Sequence, residues 1–179
     1  NLNRLGEMSM YGNYFVQGGE YLFTLFNLVN KPFIVEQGGK IQWQGDPFNA
    51  TIDIAAEYKD LNTSIANLIP EYLGFASADA RNRASQPTSV DLTMYLKGEL
   101  FEPSISFDLG FPRLETDLKT YVDNKLRTLR QDQNELNRQV FGLIVLGQFI
   151  PSEFSLSGQS GSDITINTVS ELVANQLSI

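Results

Sequence analysis

Four carboxylates crowd one stretch of this chain: Asp46, Asp53, Glu57 and Asp60 all fall within GKIQWQGDPFNATIDIAAEYKD. Two acids flanking a scissile bond are the machinery of a glycosidase, so hydrolysis is the first chemistry to weigh here. The spacing argues against it. Asp53 and Glu57 alternate with Ile52, Ile54, Ala56 and Tyr58, and successive strand side chains face opposite sides, which puts both acids on the wet face of a strand. Asp46 stands in a Gly-Asp-Pro turn, where aspartate bonds its own backbone. The chain has no Cys and no His, which removes thiol and imidazole nucleophiles and bases, thiolate and imidazole metal sites, and any disulfide framework. Glycine pairs at 18–19 and 38–39 lack the strand-to-helix setting and the G-x-G-x-x-G spacing of a phosphate loop, and read as hairpin turns. The residues therefore point to no enzyme, no cofactor and no metal.

What the segment does offer is a two-faced ribbon. Ile52, Ile54, Ala56 and Tyr58 form an apolar side that Ile41 and Trp43 continue across the turn. That is a wall with an oily surface rather than a pocket of reactive groups, and it favours a carrier or scaffold.

The 179 residues suffice for one domain with a real core, and the chain is read as one. Lys+Arg number 13 against Asp+Glu 21, a net charge of −8, which repels the phosphate backbones that nucleic-acid binding must neutralise. Nucleic acid is excluded as a partner on that ground. The longest apolar run, Val140 to Leu146 with Phe149 and Ile150 beyond, falls short of the roughly 20 residues that span a bilayer. Asn1 in place of Met suggests a piece of a longer chain, with an anchor elsewhere.

From Glu7 to Trp43, strand-like runs are separated by Gly18-Gly19, Lys31-Pro32 and Gly38-Gly39, which predicts a meander of hairpins. Residues 76–88, ASADARNRASQPT, are small and polar without period and read as a mobile loop. Strand pattern returns in Val90, Leu92, Met94 and Leu96 and in Ile105, Phe107 and Leu109, two strands expected to pair through Gly98. Pro112 is expected to open a helix whose stripe is Leu114, Leu118, Tyr121, Val122, Leu126 and Leu129. A second helix from about Gln133 to Leu146 carries Leu136, Val140, Phe141, Leu143 and Ile144 and becomes apolar on nearly every side. It is a core helix, an interfacial helix or a plug, and its one polar-face cation, Arg138, argues against the interfacial form. Residues 155–163 resemble a linker, and Thr168 with Glu171 forms a capping box ahead of Val169, Leu172, Val173 and Leu177. The domain layout is thus a sheet over 1–110, a helical segment over 111–150, and a linker with a short amphipathic helix over 151–179.

The apolar face itself has two readings. Packed under helices it is an ordinary core, each large side chain contributing about 1.5 to 3 kcal/mol. Left open along a curled sheet, it is a surface that holds acyl chains.

The run GGEYLFTLFNLVNKPFIVEQGGKIQWQGDPFNATIDIAAEY and the later DQNELNRQVFGLIVL resemble the C-terminal domain of the TamB family, the translocation and assembly module subunit of the Gram-negative envelope. The elements that carry the likeness are Phe33, Gly38, Gly39, Ile41, Trp43, Gly45, Asp46, Pro47, Ala50, Asp53 and Ala55, and it runs from about Gly6 to Ile179, nearest to versions from the Bacteroidota. The resemblance implies a mainly β fold, an antiparallel sheet curved into an open, taco-like trough with two or three C-terminal helices. It also implies a long protein of the AsmA-like bridge type on the periplasmic side of the envelope, anchored in the inner membrane. Such a protein carries phospholipid or assists assembly at the outer membrane, with acyl chains and an outer-membrane barrel of the TamA or BamA type as partners. It supplies no catalytic residues. On this reading Phe23, Leu25, Ile41, Trp43, Ile52, Ile54, Leu92, Met94, Leu96, Ile105 and Phe107 line the lipid groove, and Leu136, Val140, Phe141, Leu143 and Ile144 form the partner or plug helix. A charge at Ile54 or Leu92 is expected to block lipid without unfolding the sheet, and Asp53→Ala to do little. The rival is a docking module that adds an exposed strand edge to a partner's sheet without conducting lipid.

Overall fold

The structure, a computed structural model, describes residues 8–25 and 29–151. The linker expected at 155–163 and the amphipathic helix expected after Thr168 lie outside the described residues, as does the side chain of Asp60. Seven strands form one open antiparallel sheet, β1 (Met10–Phe15), β2 (Gly19–Leu25), β3 (Val29–Val35), β4 (Lys40–Gly45), β5 (Thr51–Ser64), β6 (Pro87–Glu99) and β7 (Pro103–Gly110). Between β5 and β6 come α1 (Pro70–Leu73) and α2 (Ala78–Ala84), and after β7 come α3 (Thr116–Leu129) and α4 (Gln133–Phe141), which runs into a π turn at Gly142–Leu146. The mainly β class with helices towards the C-terminus is as the sequence implies.

The first four strands are not four hairpin arms. β1 pairs with β4 from Met10↔Gly45 to Phe15↔Lys40, and β2 pairs with β3 from Gly19↔Val35 to Leu25↔Val29. β3 and β4 both pair with β5, through Val35↔Ala56 and then Lys40↔Asp53. Five steps from Val35 to Lys40 answer three from Ala56 to Asp53, so two residues bulge out of an otherwise continuous ribbon. Neither glycine pair turns a hairpin: Gly38 and Gly39 fall in that bulge, and Gly19 is paired with Val35 at the start of β2. Val16 closes onto the bulge, its N–H donating to the Gly39 carbonyl at 2.7 Å and its carbonyl accepting the Gly38 N–H at 2.9 Å. Gly38 has φ +97°, which a residue with a Cβ resists. Lys31 and Pro32 likewise do not turn but lie inside β3, ahead of its ladder to β5 at Ile34 and Val35. Gly98 also falls within a strand, and the β6–β7 pair closes beyond it at residues 100–102.

The chain divides into two compact units whose boundaries cut β5 after Tyr58, β6 after Leu92 and β7 after Ser106. In the first unit every described element is a strand of the sheet. The second unit has a helical layer. Leu118, Val122, Leu126 and Leu129 of α3 and Leu136 and Val140 of α4 are buried, as are Leu61, Val90, Leu92, Phe107 and Leu109 from the strands. A stacked Tyr72–Tyr121 pair at 5.3 Å and a Lys125–Glu71 bridge at 2.8 Å tie α1 to α3. Arg130 grips Asp108 through two 2.9 Å bonds.

Residues 76–88 are not a loop. Ala76, Ala80 and Ala84 recur at helical spacing and are buried, and Ser77 caps α2 by accepting the Ala80 N–H at 3.1 Å. The Ala84 carbonyl accepts the Ile65 and Ala66 amides and the Ser64 hydroxyl, closing α2 onto the end of β5. Small side chains allow that close packing, so a stripe of alanines is a buried face despite its low hydropathy. Pro112 does not open α3. The helix begins at Thr116, after an extended Glu115, where Arg83 pairs with Asp79, Glu115 and Asp117. Burial pushes the Asp117 carboxyl up, but hydrogen bonds from the Leu118 amide and from Arg83 outweigh it and hold it below its ordinary value.

Candidate functional site

Partners across an antiparallel ladder share a face, so the register places the groove residues. Ile52 faces Ile41 and Ile41 faces Tyr14, while Trp43 lies opposite Gly12. Ala56 faces Val35, Phe33 faces Tyr21, and Phe23 faces Lys31. The Lys97–Asp53 bridge at 3.3 Å puts Lys97 on the opposite, wet side of the sheet, which leaves Leu96 and Met94 on the apolar side. The sequence-predicted face is therefore one surface through β1 to β6. Phe23–Phe33 and Phe33–Tyr58 ring contacts at 5.9 and 5.7 Å knit it together, each contributing about 0.5–1.5 kcal/mol beyond burial.

Burial along that face is graded. Phe23, Ile52 and Met94 are buried, and Ile41, Trp43, Ile54, Leu96 and Ile105 are half-buried. The side chain of Leu25 lies outside the described residues, although its backbone pairs with Val29. Leu92 and Phe107 belong to the second unit, where Leu92 is 0 % exposed. A charge at Leu92 consequently breaks packing, contrary to the expectation that it spares the sheet. In the first unit every described element is a strand, and its apolar face is fully buried at Phe33, Ala56 and Met94 but only partly covered at Ile41, Trp43, Ile54 and Leu96. A sheet face of this kind needs a covering layer, its own curvature, or a ligand.

The carboxylates take the roles their spacing suggests. Asp46 Oδ1 accepts the Phe48 N–H at 2.9 Å inside its turn, and Asp53 pairs with Lys97 on the wet side. No group of three or more Asp or Glu that could hold a metal lies among the described residues.

Leu136, Val140, Leu143 and Ile144 are buried in the second unit and Phe141 is half-buried. What the sequence did not show is how that helix ends. Gln139 donates to the Ile150 carbonyl at 2.8 Å and accepts its N–H at 2.9 Å, so the side-chain amide reads the returning chain as a strand would. Arg138 is buried and donates to the Pro151 carbonyl at 2.5 Å. The lone cation of the supposed polar face is thus a tether for the chain that follows. A Gln-and-Arg pair just before an apolar run was the only available signal.

Set against known families, residues 1–179 match the TamB C-terminal domain. No curated protein and no solved structure matches the chain. Among the described residues no helix is long and apolar enough to cross a membrane.

Proposed function

Since the chain belongs to the TamB family, a Gram-negative envelope family with a role in protein assembly and translocation, we propose that its sheet carries phospholipid acyl chains along the apolar face of the first unit. On this reading the segment is non-catalytic, works on the periplasmic side, and hands its cargo towards the outer membrane beside a barrel partner of the TamA type. The observation that carries it is a shared, mainly apolar face through β1 to β6, with the Lys31 cation at its Phe23 and Tyr58 end, on which several large apolar side chains keep partial exposure. Ile41, Trp43, Ile54, Leu96 and Ile105, all half-buried, are the side chains an acyl chain meets. Ile54→Asp should abolish transfer of a fluorescent phospholipid between donor and acceptor vesicles while the far-UV spectrum stays unchanged. Unchanged transfer with Ile54→Asp removes the proposal.

A specific observation also favours the docking role. Among the described residues β1 pairs only with β4, and Tyr11, Tyr14 and Phe15 are exposed along it, an edge suited to a partner's sheet. Asn13→Pro should then abolish binding to the barrel partner's periplasmic domains and leave lipid transfer intact.

A further inference from the structure

Two turns of the first unit meet at one end of the sheet, and each raises a phenylalanine into solvent. Phe48, between β4 and β5, is 73 % exposed, and Phe101, between β6 and β7, is 59 % exposed. Their ring centroids are 6.3 Å apart. The turns are joined through the backbone, Leu100 N–H donating to the Ala50 carbonyl at 2.8 Å. The Phe48 turn is also rigid. Asp46 accepts the Phe48 N–H through its side chain and the Asn49 N–H through its carbonyl, and the Trp43 indole donates to the Pro47 carbonyl at 3.2 Å. The ring contact contributes about 0.5–1.5 kcal/mol, but it buries neither ring.

The charge around them selects the partner. Asp46, Glu99 and Glu102 stand within two residues of the rings, and Glu99 and Glu102 form no ion pair among the described residues. Two rings on convex turns are far too little area for a stable protein interface, which needs about 800 Å² per side. Amphipathic anchors at a lipid surface need only the rings in the interfacial zone. We propose that Phe48 and Phe101 are a membrane-surface anchor for lipid whose headgroups carry an ammonium group, the rings entering between acyl chains while Asp46, Glu99 and Glu102 face the ammonium groups. Anionic headgroups are rejected by the same acids and by the net charge of −8. The surface is distinct from the apolar face of the sheet and stands or falls without the groove.

The test is flotation of the full chain with vesicles of phosphatidylethanolamine and phosphatidylcholine, against vesicles in which phosphatidylglycerol replaces both lipids. Wild type should float with the first and lose flotation with the second. Phe48→Ser with Phe101→Ser should reduce flotation to background, Phe48→Leu with Phe101→Leu should retain it, and Glu99→Gln with Glu102→Gln should lose the discrimination between vesicles. Flotation of the Ser double variant at the wild-type level overturns the proposal, as does tighter binding to the phosphatidylglycerol vesicles. Binding of a protein partner through the same rings without any vesicle flotation overturns it too. Ile54→Asp separates the two readings: if it loses lipid transfer it should still float, and a wild type that floats but never transfers lipid refutes the groove alone.

Discussion

Gly142→Ala should destabilise the protein although alanine is the better helix former. The backbone at Gly142 has φ −56° and ψ −44°, ordinary right-handed values, so propensity alone would favour alanine by about 0.8–1.0 kcal/mol. The space does not permit it. A Cβ there would stand 2.6 Å from Ile150 Cγ1, 2.7 Å from the Gln148 carbonyl oxygen and 3.1 Å from Ile150 Cδ1. Ile150 is buried and its backbone is held from both sides by Gln139, so the returning chain cannot step back without breaking those bonds. Overpacking of this kind costs about 1–3 kcal/mol. A clash with a backbone oxygen belongs to the upper part of that range, which leaves a net loss of about 1–2 kcal/mol after the propensity gain. Gly74 is the matched control. It has φ −60° and ψ −29° with nothing within 4 Å of a Cβ, so Gly74→Ala should gain about 0.4–1 kcal/mol. Urea unfolding followed by far-UV circular dichroism reads both. A Gly142→Ala variant as stable as wild type refutes the close approach of residues 148–150.

Gln139→Ala should cost about 1–3 kcal/mol in the same assay, because it strands the buried Ile150 N–H, while the Ile150 carbonyl keeps its bond from the Arg138 guanidinium at 3.3 Å. The Asp117 carboxyl lies below its ordinary value of 3.8 in the folded chain, so its contribution is present above that value and is lost as pH falls below it. Asp117→Asn should flatten the acid limb of a stability–pH curve. Leu92→Asp should unfold the second unit while Ile54→Asp leaves secondary structure intact, a contrast that circular dichroism and limited proteolysis both detect.

The two faces of β5 were legible residue by residue, because side-chain alternation is a local property and Ile52 to Tyr58 keep it without a break. The Asp46 turn and the apolar stripe of α3 were legible for the same reason. The glycine pairs were not. A turn and a two-residue bulge call for the same positive φ at Gly38, and only the distant partner, β5, decides between them. Lys31-Pro32 misled in a similar way, since the penalty for proline in a strand depends on which positions its neighbour pairs. Ala76, Ala80 and Ala84 escaped because composition records hydropathy, whereas their burial follows from the close approach that small side chains allow. Of the candidate site, the side-chain types and shared face could be read from the chain. The difference that leaves Ile54 partly exposed and Leu92 fully buried could not, because it depends on which distant elements pack over each position.

The most direct test of lipid carriage is contact between lipid and the apolar face. A photo-reactive amino acid placed at Ile54 or Leu96 in cells should capture phospholipid, and the same residue at Asp53, on the wet side, should capture none. Capture at none of the three positions, or equal capture at all of them, contradicts the account.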